Sequence, residues 1–266
     1  MSVLFFDIDN TLLSHRSHSI PSSALEALKL AKENGHLLFI CSGRSVLGAS
    51  RFYDQDLFDG LIAGSGSCVL FHNEPVISRV LPDDMVRKVV SLSEEYDFGF
   101  YLQCVTKNLV NTYGYERLGH FFLKDEAGLR EMGFTRMDSF PKGEVLKVDT
   151  FYREDAPVSE IRNRFPKELD DCSHLDPTRI DFGSELTLHG VSKGSAISDL
   201  LRILDRDPKD TYGFGDSEND ISMFQACGAG IAMGNADPET KEAADYITTD
   251  IEEDGIRNAM VHFGLI

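Results

Sequence analysis

Apolar residues come in short unbroken runs near the start of the chain: Val3-Leu4-Phe5-Phe6 within residues 2–6, Leu37-Leu38-Phe39-Ile40 within 36–40, then Leu61-Ile62-Ala63. Runs without polar alternation suit strands buried on both faces, as parallel strands are. Between the first two runs the period changes. Ala24, Leu25, Leu28 and Ala31 share a helical face over 22–34, Ser23 and Glu26 have capping-box spacing, and Gly35 closes the helix. A second helix is predicted near 45–52. Strand, helix, strand, helix, strand is the rhythm of a parallel α/β sheet.

After Pro82 that rhythm stops. A helix is predicted over 83–96, followed by aromatic and alternating segments at Phe98–Leu102, Val145–Tyr152 and Arg179–Leu188, with helices near 115–131 and 156–166 between them. From Val191 the alternation resumes. A helix over 193–204, a strand at Thr211–Phe214, a helix at 218–226 and a strand at Ala229–Met233 precede a helix near 238–244, a strand at 246–248 and a last helix from about 253. The expected fold class is α/β, a Rossmann-like parallel sheet core with helices on both faces plus an inserted α+β cap domain. The core is expected at 1–82 and 188–266 and the cap at 83–187, with hinges near Leu81-Pro82 and Gly183-Ser184.

Composition narrows the partners. The 266 residues are 42% hydrophobic, ample for a buried core, and carry a net charge of −18. That charge argues against nucleic acid or an anionic membrane, and it requires any phosphate site to bring its own local positive groups. Five cysteines, at 41, 68, 104, 172 and 227, form no Cys-x-x-Cys pair, so disulfides and zinc knuckles are not expected and a reduced, cytoplasmic protein is. No apolar run has the length of a bilayer span, and the start of the chain carries no basic signal region.

The chemistry lies where the buried runs stop. Asp7, Ser42 and Asp216 each follow a predicted strand directly, and ligands of open α/β sheets bind beyond the carboxyl ends of strands. Asp7 and Asp9 would point to opposite faces if the strand continued, but Asn10 tolerates a left-handed conformation and predicts a turn that brings both carboxylates around. Converging carboxylates from Asp7-Ile8-Asp9 and Gly215-Asp216-Ser217-Glu218-Asn219-Asp220 repel unless a divalent cation sits among them. An aspartate nucleophile with Mg²⁺ suffices for phosphoryl transfer.

Asp7-Ile-Asp-Asn-Thr-Leu, Ser42-Gly-Arg, Lys193 within Val-Ser-Lys-Gly, and Gly215-Asp-Ser-Glu-Asn-Asp resemble the four motifs of haloacid-dehalogenase-like phosphatases, and the large insertion between the second and third is similar to the Cof-type, sugar-phosphatase-like branch. The resemblance implies Asp7 as nucleophile and Asp9 as general acid and base. It implies Mg²⁺ held by Asp7, the backbone carbonyl of Asp9 and Asp216. Ser42, the Gly43 amide, Lys193 and Asn219 would then hold the phosphoryl oxygens, and Asp220 would orient Lys193 or a metal-bound water. Two positions depart from the pattern: Asn10 stands where glycine is more usual, and Ser65-Gly66-Ser67 replaces a common Asn-Gly-Ala.

The implied activity is hydrolysis of a small phosphorylated metabolite, a sugar phosphate first of all. Transfer of the phosphoryl group to another hydroxyl, as in a mutase, and a catalytically idle sensor of a phosphorylated ligand are the alternatives. Arg44 is read as either a substrate contact or a structural ion pair, and His15-x-x-His18 as surface. The oligomeric state stays open.

Overall fold

The computed structural model describes residues 1–174 and 182–266. Among them, strands form an eight-stranded and a six-stranded sheet. By the density of internal contacts the chain divides into a first unit of Met1–Arg44, Ala49–Ile77 and Ser192–Ile266, and a second of Ser45–Gly48 and Ser78–Val191.

The eight-stranded sheet runs in the order Tyr246–Ile247, Ala229–Ala232, Thr211–Gly215, Val3–Phe6, Leu37–Cys41, Gly60–Ala63, Cys68–Phe71, Glu74–Ser78. Its first six strands are parallel, in register Phe6↔Phe214 and Phe6↔Ile40 at the centre. Val3–Phe6 is buried at every position because helices cover both faces, which is why it reads as an unbroken apolar run. The helix Ser22–Glu33 buries Ala24, Ala27, Leu28 and Ala31, whereas Leu25 stays half-buried. The expected Ser23–Glu26 capping box does not form; Pro21, with its fixed φ, stands at the N-cap one residue before the helix. The antiparallel strand Cys68–Phe71 and its neighbour Glu74–Ser78 were absent from the pattern reading, being short and only partly buried.

In the second unit the sheet order is Leu169–His174, Gly183–Leu188, Val145–Phe151, Gly99–Cys104, Asn108–Val110, Phe134–Arg136. The helices Asp83–Tyr96 and Val158–Asn163 pack on one face through Val86, Val89, Leu92 and Ile161. Part of the other face is covered by Thr112–Phe122 and Glu126–Glu131 through Tyr115, Leu118 and Leu129. Where one helix over 115–131 was expected there are thus two, separated where Leu123 turns to a φ of 51°. Of the strand expected at Arg179–Leu188, positions 179–181 lie outside the described residues, and the rest forms Gly183–Leu188. Gly183 and Ser184 are ladder-paired inside that strand, and Leu81 donates its amide to Val145 within the same unit, so neither expected hinge position is a free joint. None of the five cysteines is in a disulfide.

Candidate active site

The site belongs to the first unit and begins with strand ends. Asp7 continues Val3–Phe6, and its amide donates to the Phe214 carbonyl on the adjacent strand at 2.9 Å. Asp216 follows Thr211–Gly215 directly, and Ser42 follows Leu37–Cys41 with its amide on the Ile62 carbonyl at 2.8 Å. Adjacent parallel strands ending at the same level bring Asp7 and Asp216 together across 209 positions of sequence. After Asp7 the chain turns, with Asn10 at a φ of 53° and the amides of Leu12 and Leu13 both on the Ile8 carbonyl. That left-handed residue is one an asparagine adopts more readily than most. The same turn carries Thr11, whose hydroxyl donates to Asp216 Oδ1 at 3.2 Å.

Lys193 enters at the first residue of the helix Lys193–Ile203, with Ser192 as its N-cap in a reciprocal capping box with Ser195. Gly66, at a φ of 103°, lies so close to the Ser192 carbonyl that a Cβ would sit 2.2 Å from its oxygen. The loop after the third strand therefore seats the start of that helix, and only glycine permits the approach. Lys193 is 1% exposed, and its Nζ donates to Asp7 Oδ1 (2.7 Å), Asn219 Oδ1 (2.8 Å) and Asp220 Oδ1 (2.6 Å). Asp220 is fully buried; its second oxygen accepts the amides of Asp216 (3.0 Å) and Ser217 (3.2 Å), which locks the loop that carries Asp216.

Charge is crowded here. Asp7, Asp216 and Asp220 each offer a carboxylate oxygen within 4.8 Å of the others, all three residues being buried. Burial, with Asp220 and Asp9 adding to it against the pull of Lys193, pushes Asp7 up to about 7. Burial together with Asp7 and Asp220 pushes Asp216 up to about 8. Burial works to discharge Lys193, but Asp220 and Asp7 outweigh it and hold the ammonium firmly charged. Three carboxylates crowd one ammonium in a buried place, and protein groups alone do not sustain the charge of Asp7 and Asp216. A hard divalent cation with oxygen ligands answers that need, so the donor set fits Mg²⁺. Asp7 and Asp216 could hold such an ion, since both oxygens of Asp220 already accept hydrogen bonds.

Asp9 points elsewhere. Its carboxylate takes Arg44 Nε at 2.8 Å on Oδ2, and Arg44 Nη2 at 2.5 Å with His15 Nε2 at 2.8 Å on Oδ1. Burial would raise its pKa, yet Arg44 and His15 together bring it below the ordinary carboxylate value, so in this arrangement Asp9 is ionised. Arg44 thus makes an ion pair. His15, read from sequence as a surface residue, is indeed half exposed but bound to Asp9. Ser42 is buried with its Oγ accepting the Arg44 amide at 3.2 Å, and Gly43 lies between them. The structure therefore gathers Asp7, Lys193, Asn219, Asp216 and Asp220 into one contact network, while Asp9 joins Arg44 and His15.

An α/β sheet with acidic residues and a buried lysine at its strand ends is the layout of a phosphate-handling enzyme. A family model described as haloacid dehalogenase-like hydrolase matches residues 4–260. "Putative phosphatase YkrA" of Bacillus subtilis (strain 168) is 30% identical over 99% of this chain and 98% of its own length. The 5-amino-6-(5-phospho-D-ribitylamino)uracil phosphatase YcsE of the same organism is 28% identical over 100% of this chain and 96% of its own. Among solved structures, the subclass IIB sugar phosphatase BT4131 superposes with a TM-score of 0.84 at 30% identity, each chain covered in full. The chain belongs to the haloacid dehalogenase-like hydrolases, in their Cof-type branch, and is a phosphatase. No helix among the described residues is long and apolar enough to cross a membrane.

Proposed function

We propose that the protein is a Mg²⁺-dependent phosphatase of small phosphomonoesters, sugar phosphates above all, acting through an aspartyl-phosphate on Asp7. The observation that carries this reading is the buried meeting of Asp7, Asp216 and Asp220, the first and last of them paired with Lys193. The sugar phosphatase and the ribitylamino-uracil phosphatase among the similar proteins support the substrate class.

Asp7 and Asp216, with the Asp9 carbonyl, would hold the ion, which when bound keeps Asp7 anionic and draws charge from the phosphoryl oxygens. Lys193, Ser42, the Gly43 amide and Asn219 orient those oxygens, and Asp220 keeps Lys193 in place. A carboxylate oxygen of Asp7 bonds to phosphorus as the bond from phosphorus to the alcohol oxygen breaks, and a protonated Asp9 gives its proton to that oxygen. Water then attacks the same phosphorus, Asp9 takes its proton, and phosphate leaves with Asp7 restored. For the first proton transfer Asp9 must be protonated and free of Arg44, so the Arg44 and His15 contacts describe a resting state of the acid. The second unit, with the expected span 83–187 as its bulk, acts as the cap that selects the leaving group. Five cysteines outside any disulfide agree with a reducing, cytoplasmic setting.

The test is release of inorganic phosphate from p-nitrophenyl phosphate and from a panel of hexose, pentose and polyol phosphates, with Mg²⁺ and with chelator. Phosphate release that requires Mg²⁺ and vanishes in Asp7→Asn is the expected result. Full turnover by Asp7→Asn would overturn the nucleophile, and phosphoryl transfer to a second sugar without phosphate release would make the enzyme a transferase.

A further inference from the structure

The loop after the strand Ala229–Ala232 touches both acid-bearing turns of the first unit, yet no step of the chemistry at Asp7 uses it. It holds the Asp216 turn through its backbone: the amide of Met233 donates to the Gly215 carbonyl at 2.9 Å, and that of Asp237 to the Asp216 carbonyl at 3.0 Å. Between those two residues Asn235, half-buried, reaches across 225 positions of sequence, and its Nδ2 donates to the Asn10 carbonyl at 2.8 Å. Its Oδ1 accepts the amide of Ile251 at 2.9 Å. A backbone donor at one end and a backbone acceptor at the other fix which way the amide head is turned.

Asn10 is a residue that needs holding. Its φ of 53° lies in the left-handed region, where a residue with a Cβ is strained and persists only while its surroundings over-determine it. The turn supplies one bond of its own there, from the Asn10 amide to the Leu13 carbonyl at 2.8 Å. The Asn10 carbonyl is held from outside the turn, by Asn235. Rotation about φ of Asn10 swings the planar peptide group that carries the Asp9 carbonyl, so a hold on Asn10 is also a hold on that oxygen. On its other side the turn is tied to Asp216 by Thr11, whose hydroxyl donates to Oδ1 at 3.2 Å. The segment carrying Ile251 is bonded in turn to the chain just past the turn, Asp250 to Arg16 and Glu252 to Ser14.

We infer that Asn235 is a positioning residue: it holds Asn10 left-handed and so keeps the Asp7 carboxylate and the Asp9 carbonyl in register with Asp216 for a divalent cation. Asn235 itself touches none of the reacting groups. The inference rests on the metal-dependent phosphatase reading and adds to it a residue on which the affinity of the site for its cation depends.

The test is calorimetric titration of the full-length protein with MgCl₂, for the wild type, Asn235→Leu, Asn10→Gly and the double variant. Asn235→Leu removes both bonds of the amide at similar volume, and its dissociation constant for Mg²⁺ is expected to rise at least about 10-fold. Glycine takes a positive φ without strain, so in the presence of Asn10→Gly the same substitution is expected to raise that constant at most about 3-fold. An unchanged constant in Asn235→Leu overturns the assignment. So does a loss equally large with and without Asn10→Gly, because a loop loosened only at Ile251 would be indifferent to residue 10. Asn235→Asp keeps the acceptor for Ile251 and loses only the donor to Asn10, which guards against a leucine variant that fails to fold. It is expected to bind Mg²⁺ more weakly than the wild type although its added charge attracts a cation, and binding as tight or tighter overturns the role. If the wild type takes up no Mg²⁺, the metal reading itself fails and this inference falls with it. If it binds Mg²⁺ but hydrolyses no phosphate ester, the phosphatase reading fails alone and the same titrations still decide about Asn235.

Discussion

Arg44 holds Asp9 by both carboxylate oxygens, Nε on Oδ2 at 2.8 Å and Nη2 on Oδ1 at 2.5 Å, with His15 Nε2 on Oδ1 as well. Such a two-point grip fixes the plane of the carboxylate and keeps it ionised. In the proposed mechanism an acid held in this way would donate its proton only after release, and the grip would return it to one place between turnovers. Replacing Arg44 by Met should therefore lower kcat about 10-fold on a sugar phosphate, whose alkoxide needs a proton, and less on p-nitrophenyl phosphate, whose phenolate leaves without one. Asp9→Asn should show the same leaving-group dependence at about 10²–10⁴-fold. Equal losses on both substrates would take Asp9 out of the proton-transfer role.

Lys193 is the keystone of the neighbouring network. With its ammonium gone, Asp7 and Asp220 face each other, both buried and uncompensated. Breaking a buried ion pair from one side costs about 3–5 kcal/mol. Lys193→Met should lose that much stability in urea unfolding without metal, and adding Asp220→Asn should return more than about 1 kcal/mol of it. Strict additivity of the two substitutions would mean that the pair is not energetically coupled.

The parts of this site legible in the sequence were those set by a local pattern. Asp7 and Asp216 announce themselves because a buried strand stops at an acidic residue, and Asn10 because its turn needs a left-handed residue. Lys193 has a local signal only for its place at a helix start; its meeting with Asp7 spans 186 positions and depends on how the Gly66 loop seats that helix. His15 gave no signal, since its contact with Asp9 exists only once the chain has folded back, with Ser14 and Ser19 bridged behind it. The strands Asn108–Val110 and Phe134–Arg136 were missed for a different reason. Three residues are too few to display a period, and their pairing is set by the rest of the sheet.

Metal should stabilise the fold as well as activate it. Asp216 sits among Asp7 and Asp220 with the hydroxyl of Thr11 as one of its hydrogen-bond donors, so its charge is poorly compensated by protein groups. A cation that binds only the folded state adds about 2.7 kcal/mol at a hundred times its dissociation constant. Mg²⁺ should raise the thermal unfolding midpoint of the wild type, and Asp216→Asn should abolish most of that rise. Without metal, the same variant should melt above the wild type because one crowded carboxylate is gone. A Mg²⁺-induced rise undiminished in Asp216→Asn would place the ion elsewhere.

The polar face of the second unit should give the protein a stability that depends on pH in a direction opposite to ordinary acid denaturation. Burial pushes Asp149 up to about 6, with Glu185 adding to it, even though Lys147 and Gln103 pull the other way. A carboxyl whose pKa is higher in the folded than in the unfolded chain favours folding in its protonated form. Its contribution is complete below the unfolded value near 3.8 and is lost as the pH rises through about 6. Asn at this position mimics the protonated acid at every pH. The midpoint of Asp149→Asn minus that of the wild type should therefore grow more positive between pH 4.5 and 7.5, a comparison in which the titration of all other groups cancels to first order. Lys147 is raised as well, so its own contribution is lost only in strong alkali, outside that window. A difference that shrinks with rising pH would mean that the ionised Asp149, paired with Lys147, is the form the fold prefers.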